Sequence, residues 1–184
     1  MPRFITNAEL RSVASTKTLT EQTRLRAMAA SRPLTGSTFL SHSSKDEDLV
    51  FGATAILEDN GGKVYTDEKD PTLPPYTNDE TAKVLKSRIK QTARFVLLVS
   101  KNSKESRWVP WELGIADGHK GLDKIALFPS SDSASEMTWA SWEYLGLYRR
   151  IAWGRLDGYK DEVWMVWDEK SNTATLLRTW LTAG

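Results

Sequence analysis

The chain has 184 residues, with 25 basic against 24 acidic side chains for a net charge of +1, and no cysteine. That balance argues against a broad electrostatic footprint for nucleic acid or an anionic membrane, and the missing thiols exclude a disulfide framework and thiolate chemistry. The length suits one domain with a sizeable core. Because nowhere do about 18 apolar residues run together and residues 1–30 lack a signal peptide's apolar stretch, the sequence reads as a soluble cytoplasmic protein.

Two short helices are expected first: Thr6-x-x-Glu9 has capping-box spacing, and Thr20-Glu21-Gln22 opens a second run to Ala30, with residues 31–36 as a connector. A strand starts at Ser37. Beyond it Leu49, Val50, Ala53, Ile56 and Leu57 share one stripe of a helix over 46–59, stopped by Asn60-Gly61-Gly62. A second strand over 63–66 leads through a long proline-bearing loop to a helix over 79–91 that buries Ala82, Leu85 and Ile89. The run Arg94-Phe95-Val96-Leu97-Leu98-Val99-Ser100 has the continuous apolar character of a strand buried on both faces. A helix carrying Glu112 and a strand over 124–128 follow, then a fifth strand near 147–152. The alternation predicts an α/β fold with a central parallel sheet of about five strands flanked by helices, in flavodoxin-like order.

The last third differs in character, because six of the eight tryptophans, Trp139, Trp142, Trp153, Trp164, Trp167 and Trp180, fall after Thr138. They fill a satellite core or form an oligomer or partner surface; the large area each buries favours the first. Residues 162–167 read as a further strand, Ser171-Asn172 as a turn and residues 174–181 as a closing helix.

The most informative segment is Ser106-Arg107-Trp108-Val109-Pro110-Trp111-Glu112 and the four residues beyond it. Pro110 suits a first helical turn, so the helix is expected to begin near Val109 or Pro110 with Glu112 in its first turn. There the helix dipole should keep the carboxylate ionised. The segment follows the buried strand, which places Glu112 beyond a strand's carboxyl end, where open α/β sheets hold ligands. Glu112 is therefore the catalytic candidate; the competing reading is a carboxylate that only complements the helix dipole.

Negative evidence narrows the chemistry. His42 and His119 are the only histidines, and without cysteine they cannot complete a four-ligand zinc site unless carboxylates join them, so no metal site is expected. No nucleophile-elbow motif supports a serine triad around His42. Neither a G-x-x-x-x-G-K-[ST] loop nor G-x-G-x-x-G is present, so a dinucleotide would be substrate and not a bound redox cofactor.

Three boxes in order resemble the Toll/interleukin-1 receptor (TIR) domain family, in particular stand-alone bacterial members of the Thoeris antiphage kind. Ser37-Thr38-Phe39-Leu40-Ser41-His42-Ser43-Ser44-Lys45-Asp46 is similar to the family's opening strand and its F-[LI]-S-[HY]-[SA]-x-x-D box. Gly62 to Asp67, running on to Pro75, looks like its second strand and long loop, and Trp108-x-x-x-Glu112 matches the spacing of members that cleave NAD+. The resemblance covers residues 36–152. It implies a TIR domain there, between an N-terminal helical extension over 1–35 and a C-terminal extension over 153–184 packed on it.

The resemblance further implies an NAD+ nucleosidase with NAD+ as substrate and no cofactor. Breaking the nicotinamide–ribose bond develops oxocarbenium character on the ribose while nicotinamide leaves neutral, so one fixed carboxylate, Glu112, can supply much of the stabilisation. Trp108 could stack on a base or wall the site against water, or simply pack, and Trp111 stands beside it. Phe39, Ser41, His42, Ser43 and Lys45 form the loop that would meet phosphates and ribose, although Ser43 or Ser44 could instead cap the next helix. The loop over 67–77, with Pro71, Pro74, Pro75 and Tyr76, resembles the family's assembly-controlling loop; its plain alternative is a surface connection.

Three function classes stay open. The first is an NAD+-consuming enzyme that hydrolyses or cyclises its substrate, self-associates through the TIR domain and signals to a separate effector. The second is a TIR scaffold in which Glu112 is idle; Trp108-x-x-x-Glu112 argues against it. The third is a nucleoside glycosidase or deoxyribosyltransferase, against which the Ser41-His42-Ser43 box argues. No second effector domain is visible in the sequence, which favours a diffusible nucleotide product.

Overall fold

The computed structural model describes residues 2–67, 79–133 and 143–184. Its centre is an eight-stranded sheet. The strands are β1 (Ile5–Thr6), β2 (Thr38–Ser41), β3 (Val64–Tyr65), β4 (Arg94–Val99), β5 (Ile125–Ser131), β6 (Arg149–Gly154), β7 (Val163–Asp168) and β8 (Thr173–Leu176). The helices are α1 (Asn7–Ser15), α2 (Leu19–Ser31), α3 (Glu47–Asp59), α4 (Asp79–Gln91), α5 (Trp108–His119) and α6 (Leu177–Thr182). Strand order is β3-β2-β4-β5-β6-β7-β8, with β1 beside the end of β5. The five strands from β3 to β6 pair in parallel, as the sequence predicts, and β7 and β8 extend the sheet antiparallel.

β4 explains why the sheet has helices on both faces. All six of its residues are buried, and their alternation sends Phe95, Leu97 and Val99 into one core and Val96 and Leu98 into the other. The first core closes on Leu85 and Ile89 of α4 and on Val109, Leu113 and Ala116 of α5. The second closes on Leu10 of α1, on Leu49, Val50, Ala53, Ile56 and Leu57 of α3, and on Leu177, Trp180 and Leu181 of α6. The predicted stripe of α3 is thus the buried one, and Gly61, at φ 83°, ends that helix in the left-handed region glycine enters without strain. α1 lies so close to α3 that a Cβ at Gly52 would stand 2.2 Å from the Leu10 carbonyl oxygen.

The N-terminal segment is more than helical. β1 pairs in parallel with Ser130 and Ser131 of β5, and Arg3 bridges Trp153 of β6. The capping box at Thr6 and Glu9 forms as predicted, but α2 is capped by Thr18, whose side chain and Glu21 satisfy each other's backbone N–H groups, and not by Thr20. At the other end, residues 174–176, where a helix is expected, belong to strand β8. Thr173 and Thr175 suit an extended chain, and their ladder with β7 outweighs a helical start, leaving only Leu177–Thr182 helical. Asn172, at φ 49°, makes the predicted turn between the two strands.

The tryptophans of this region are mainly packing groups. Trp164 meets Phe128 and Trp153 edge to face at 5.7 and 5.3 Å, and Trp180 is buried with its Nε1–H donating to the Asp123 carbonyl. Trp139 and Trp142 lie outside the described residues. No helix among the described residues is long and apolar enough to cross a membrane.

Strand order also creates the crevice. From β2 the chain runs through α3 to β3 on one side, then returns through α4 to β4 on the other. Connections leaving β2 and β4 in opposite directions open the sheet at their carboxyl ends, the switch point where α/β sheets bind ligands.

Candidate functional site

At that switch point lies a cavity of about 200 Å³ lined by His42, Ser44, Glu47, Asp67, Thr81, Leu85, Ser106, Trp108 and Glu112. Six segments build it: the turns after β2, β3 and β4, the start of α3, and helices α4 and α5. A wholly buried Asp46 ties two of the turns together, accepting 2.6 Å hydrogen bonds from Ser100 Oγ and from Asn102 Nδ2. This network holds the turn carrying His42 and Ser44 against the one carrying Ser106.

Glu112 occupies the floor. α5 begins at Trp108, where Ser106 Oγ accepts the backbone N–H groups of Trp108 and Val109, each at 3.3 Å. The helix therefore starts earlier than the proline suggests, and Glu112 falls in its second turn, away from the free N–H groups. The expectation of a dipole-held carboxylate fails accordingly. Glu112 is buried, at 3 % exposure, and burial raises its carboxyl well above the ordinary value of 4.5; the charge of Asp67 adds to the rise, and the Ser41 hydrogen bond opposes it. Ser41 Oγ donates that bond to Glu112 Oε2 at 2.5 Å. Burial thus favours the protonated acid, and a positive charge arriving in the cavity would favour the carboxylate.

The other expected residues divide. Ser41, beneath the cavity, is the partner that fixes Glu112. His42 lines the cavity; its contact of 3.3 Å from Nδ1 to the Leu40 carbonyl needs a proton on Nδ1, which leaves Nε2 for a ligand. Trp108 forms a wall and meets Trp111 edge to face at 5.2 Å. Trp111, 37 % exposed, stands outside the cavity, where it shares a second, more open groove of about 560 Å³ with Ala82, Arg107 and Trp108.

Three further expected residues do not face the cavity. Phe39 is fully buried between Tyr65 and Phe95, at centroid distances of 5.5 and 5.7 Å, because alternation along β2 turns it into the first core. Ser43 is also buried and takes the capping role, accepting the Lys45 N–H at 3.4 Å. The Lys45 ammonium is exposed and paired with Glu105 at 2.6 Å. Tyr76 and the loop prolines Pro71, Pro74 and Pro75 lie outside the described residues.

Residues not singled out from sequence complete the wall: Asp67, Glu47, Thr81, Leu85 and Ser106. Asp67 had a usable signal, since it directly follows the second strand at its carboxyl end. Among the described residues no group of three or more His, Asp or Glu comes together in a way that could hold a metal ion.

The TIR domain family matches residues 38–162, from β2 to the approach to β7, and so takes in the whole cavity. The chain belongs to the TIR domain family. A curated relative, named probable 3′ cyclic ADP-D-ribose synthase ThsB′, from Bacillus cereus strain MSX-D12, is 34 % identical over 146 residues, covering 78 % of this chain and 74 % of that protein. The TIR fold accounts for the parallel sheet with helices on both faces, and the cavity stands at its topological switch point.

Proposed function

We propose that this TIR protein is an NAD+ nucleosidase and cyclase that makes a cyclic ADP-ribose-type signal in the cytoplasm during bacterial antiphage defence. The observation that carries the reading is Glu112: a buried carboxyl group on the floor of a switch-point cavity, held by Ser41 beside the aromatic wall of Trp108. The name borne by the Bacillus cereus relative supports the cyclic product.

In this mechanism the nicotinamide end of NAD+ enters the cavity as a pyridinium cation. Its positive charge opposes burial, which had raised the pKa of Glu112, so Glu112 gives up its proton to solvent and faces the ribose as a carboxylate. The bond from ribose C1′ to nicotinamide nitrogen breaks with its electron pair going to the nitrogen, which makes the leaving group neutral. Glu112 meets the oxocarbenium character left on C1′. A nucleophile on the adenosine part of the same molecule then bonds to C1′ and loses its proton, closing the ring; attack by water gives linear ADP-ribose instead. A folded substrate gives the internal nucleophile a high effective concentration, and Trp108 with Trp111 is placed to hold the adenine back over the ribose and exclude water.

Self-association through the TIR domain belongs to the same proposal, as does a separate effector that senses the nucleotide. The test is incubation of the purified protein with NAD+, and of a Glu112→Gln variant in parallel. The proposal expects nicotinamide and a cyclic product from the first and at least roughly a hundredfold less turnover from the second.

A further inference from the structure

Trp108 is shared by two compartments of opposite electrical character. The inner cavity presents three carboxyl groups, Glu47, Asp67 and Glu112, and no lysine or arginine among its described lining residues. The outer groove presents Arg107 with Trp108 and Trp111 and no acid among its described residues. Arg107 is exposed and makes no ion pair with a described residue, whereas nearby Lys45 is committed to Glu105. A ligand that fills both compartments therefore needs a cation at one end, an anion toward the other, and a flat ring to lie on indole.

The size of each compartment points the same way. About 200 Å³ takes a single small ring and sugar and not a whole dinucleotide, while the open groove of about 560 Å³ has room for a second, larger half. Glu112, on the floor, is buried and bound to Ser41. The other two carboxyl groups are Asp67, half-buried just beyond β3, and Glu47 at the exposed rim.

We infer that Asp67, aided by Glu47, selects the oxidised dinucleotide by its pyridinium charge, and that Arg107 in the adjoining groove takes the diphosphate of the ADP half. The inference rests on the NAD+ reading and adds what that reading leaves open: how the site tells NAD+ from its reduced form. NADH carries a neutral dihydropyridine of nearly the same shape, so shape alone separates the two poorly. A nearby carboxylate separates them by about tenfold for one partly screened charge, and an imperfectly hydrated cavity widens the gap. NADH, which the site cannot cleave, is thereby kept from occupying it.

The test uses ligand-observed NMR on the full chain with small probes, so that binding is read without turnover. 1-Methylnicotinamide carries the pyridinium charge; nicotinamide is its neutral counterpart. The wild type should bind the cation at least about tenfold more tightly, and Asp67→Asn should cut that preference severalfold. Arg107→Ala should leave that ratio unchanged and weaken ADP about tenfold. Glu47→Gln should narrow the ratio less than Asp67→Asn does, and it replaces that variant if Asp67→Asn does not fold. Equal affinity of the wild type for the two pyridines, or an unchanged ratio in the substituted protein, overturns the inference. A protein that prefers the cation yet leaves NAD+ uncleaved sinks the enzymatic reading alone. Cleavage of NAD+ by a site with no cation preference sinks this inference alone.

Discussion

Replacing Ser41 by alanine isolates one bond. In the wild type the Ser41 hydroxyl donates to Glu112 Oε2 at 2.5 Å inside the protein, and it is the stabilising contact that opposes burial and the charge of Asp67. A hydrogen bond to a charged group contributes about 1.5–3 kcal/mol, so losing it raises the pKa of Glu112 further and moves the balance roughly 10- to 100-fold toward the protonated acid. Because the carboxylate is the working form, kcat/KM for NAD+ rises with pH through the Glu112 ionisation. Ser41→Ala should shift that rising limb to higher pH and, at a fixed pH on the limb, lower kcat/KM roughly 10- to 100-fold. The loss of rate is then large on the acid side and shrinks at alkaline pH. The assay is nicotinamide release across the pH range, with the melting temperature measured at each pH. A Ser41→Ala protein whose limb coincides with that of the wild type, or whose deficit is equal at every pH, would refute the argument.

The remaining predictions concern charge, product and assembly. Glu112→Gln, besides losing at least roughly a hundredfold in activity, should stabilise the fold at neutral and alkaline pH. A folded-state value raised by burial is an advantage below the unfolded value and is lost as pH rises through the folded one. Its melting temperature should exceed the wild type's at pH 8 by about 2–4 °C for each kcal/mol relieved, and the difference should vanish below pH 4; an equal gap at both would contradict burial as the cause. Trp108→Ala should shift products from cyclic to linear ADP-ribose beyond its loss of total rate, and an unchanged product ratio by chromatography would remove Trp108 from the folding of the substrate. Specific activity should rise with protein concentration, and a flat value over a wide dilution series, with a monomer by light scattering throughout, would count against assembly.

How much of this could be read from the chain depends on the distance over which each cause acts. β4 and α3 were legible because their signals are local: an unbroken apolar run, and a stripe with helical spacing closed by Asn60-Gly61-Gly62. Glu112 was legible for the same reason, since Pro110 and the preceding strand place it beyond a carboxyl end. Its ionisation was not. That depends on Ser41, 71 positions away, and on Asp67 across the cavity, neither visible in the neighbourhood of Glu112.

β1 and β8 failed for a related reason. Ile5–Thr6 is too short to carry a periodic signal and becomes a strand only by pairing with Ser130 and Ser131. Thr173–Leu176 is extended because β7 is beside it. Phe39 was misplaced in depth: it shares a face of β2 with Ser41 but lies two residues further from the strand's carboxyl end, inside the core. Ser41, two residues on, is the one beneath Glu112.

The central claim is that Glu112 and its cavity turn NAD+ into a cyclic nucleotide, and the most direct measurement is the mass and chromatographic identity of what the purified protein makes from NAD+. The account predicts nicotinamide together with an ADP-ribose species lighter than linear ADP-ribose by one water, both abolished by Glu112→Gln. Nicotinamide with only linear ADP-ribose would contradict the signalling role, and NAD+ left intact at concentrations where the protein is assembled would contradict the catalytic one.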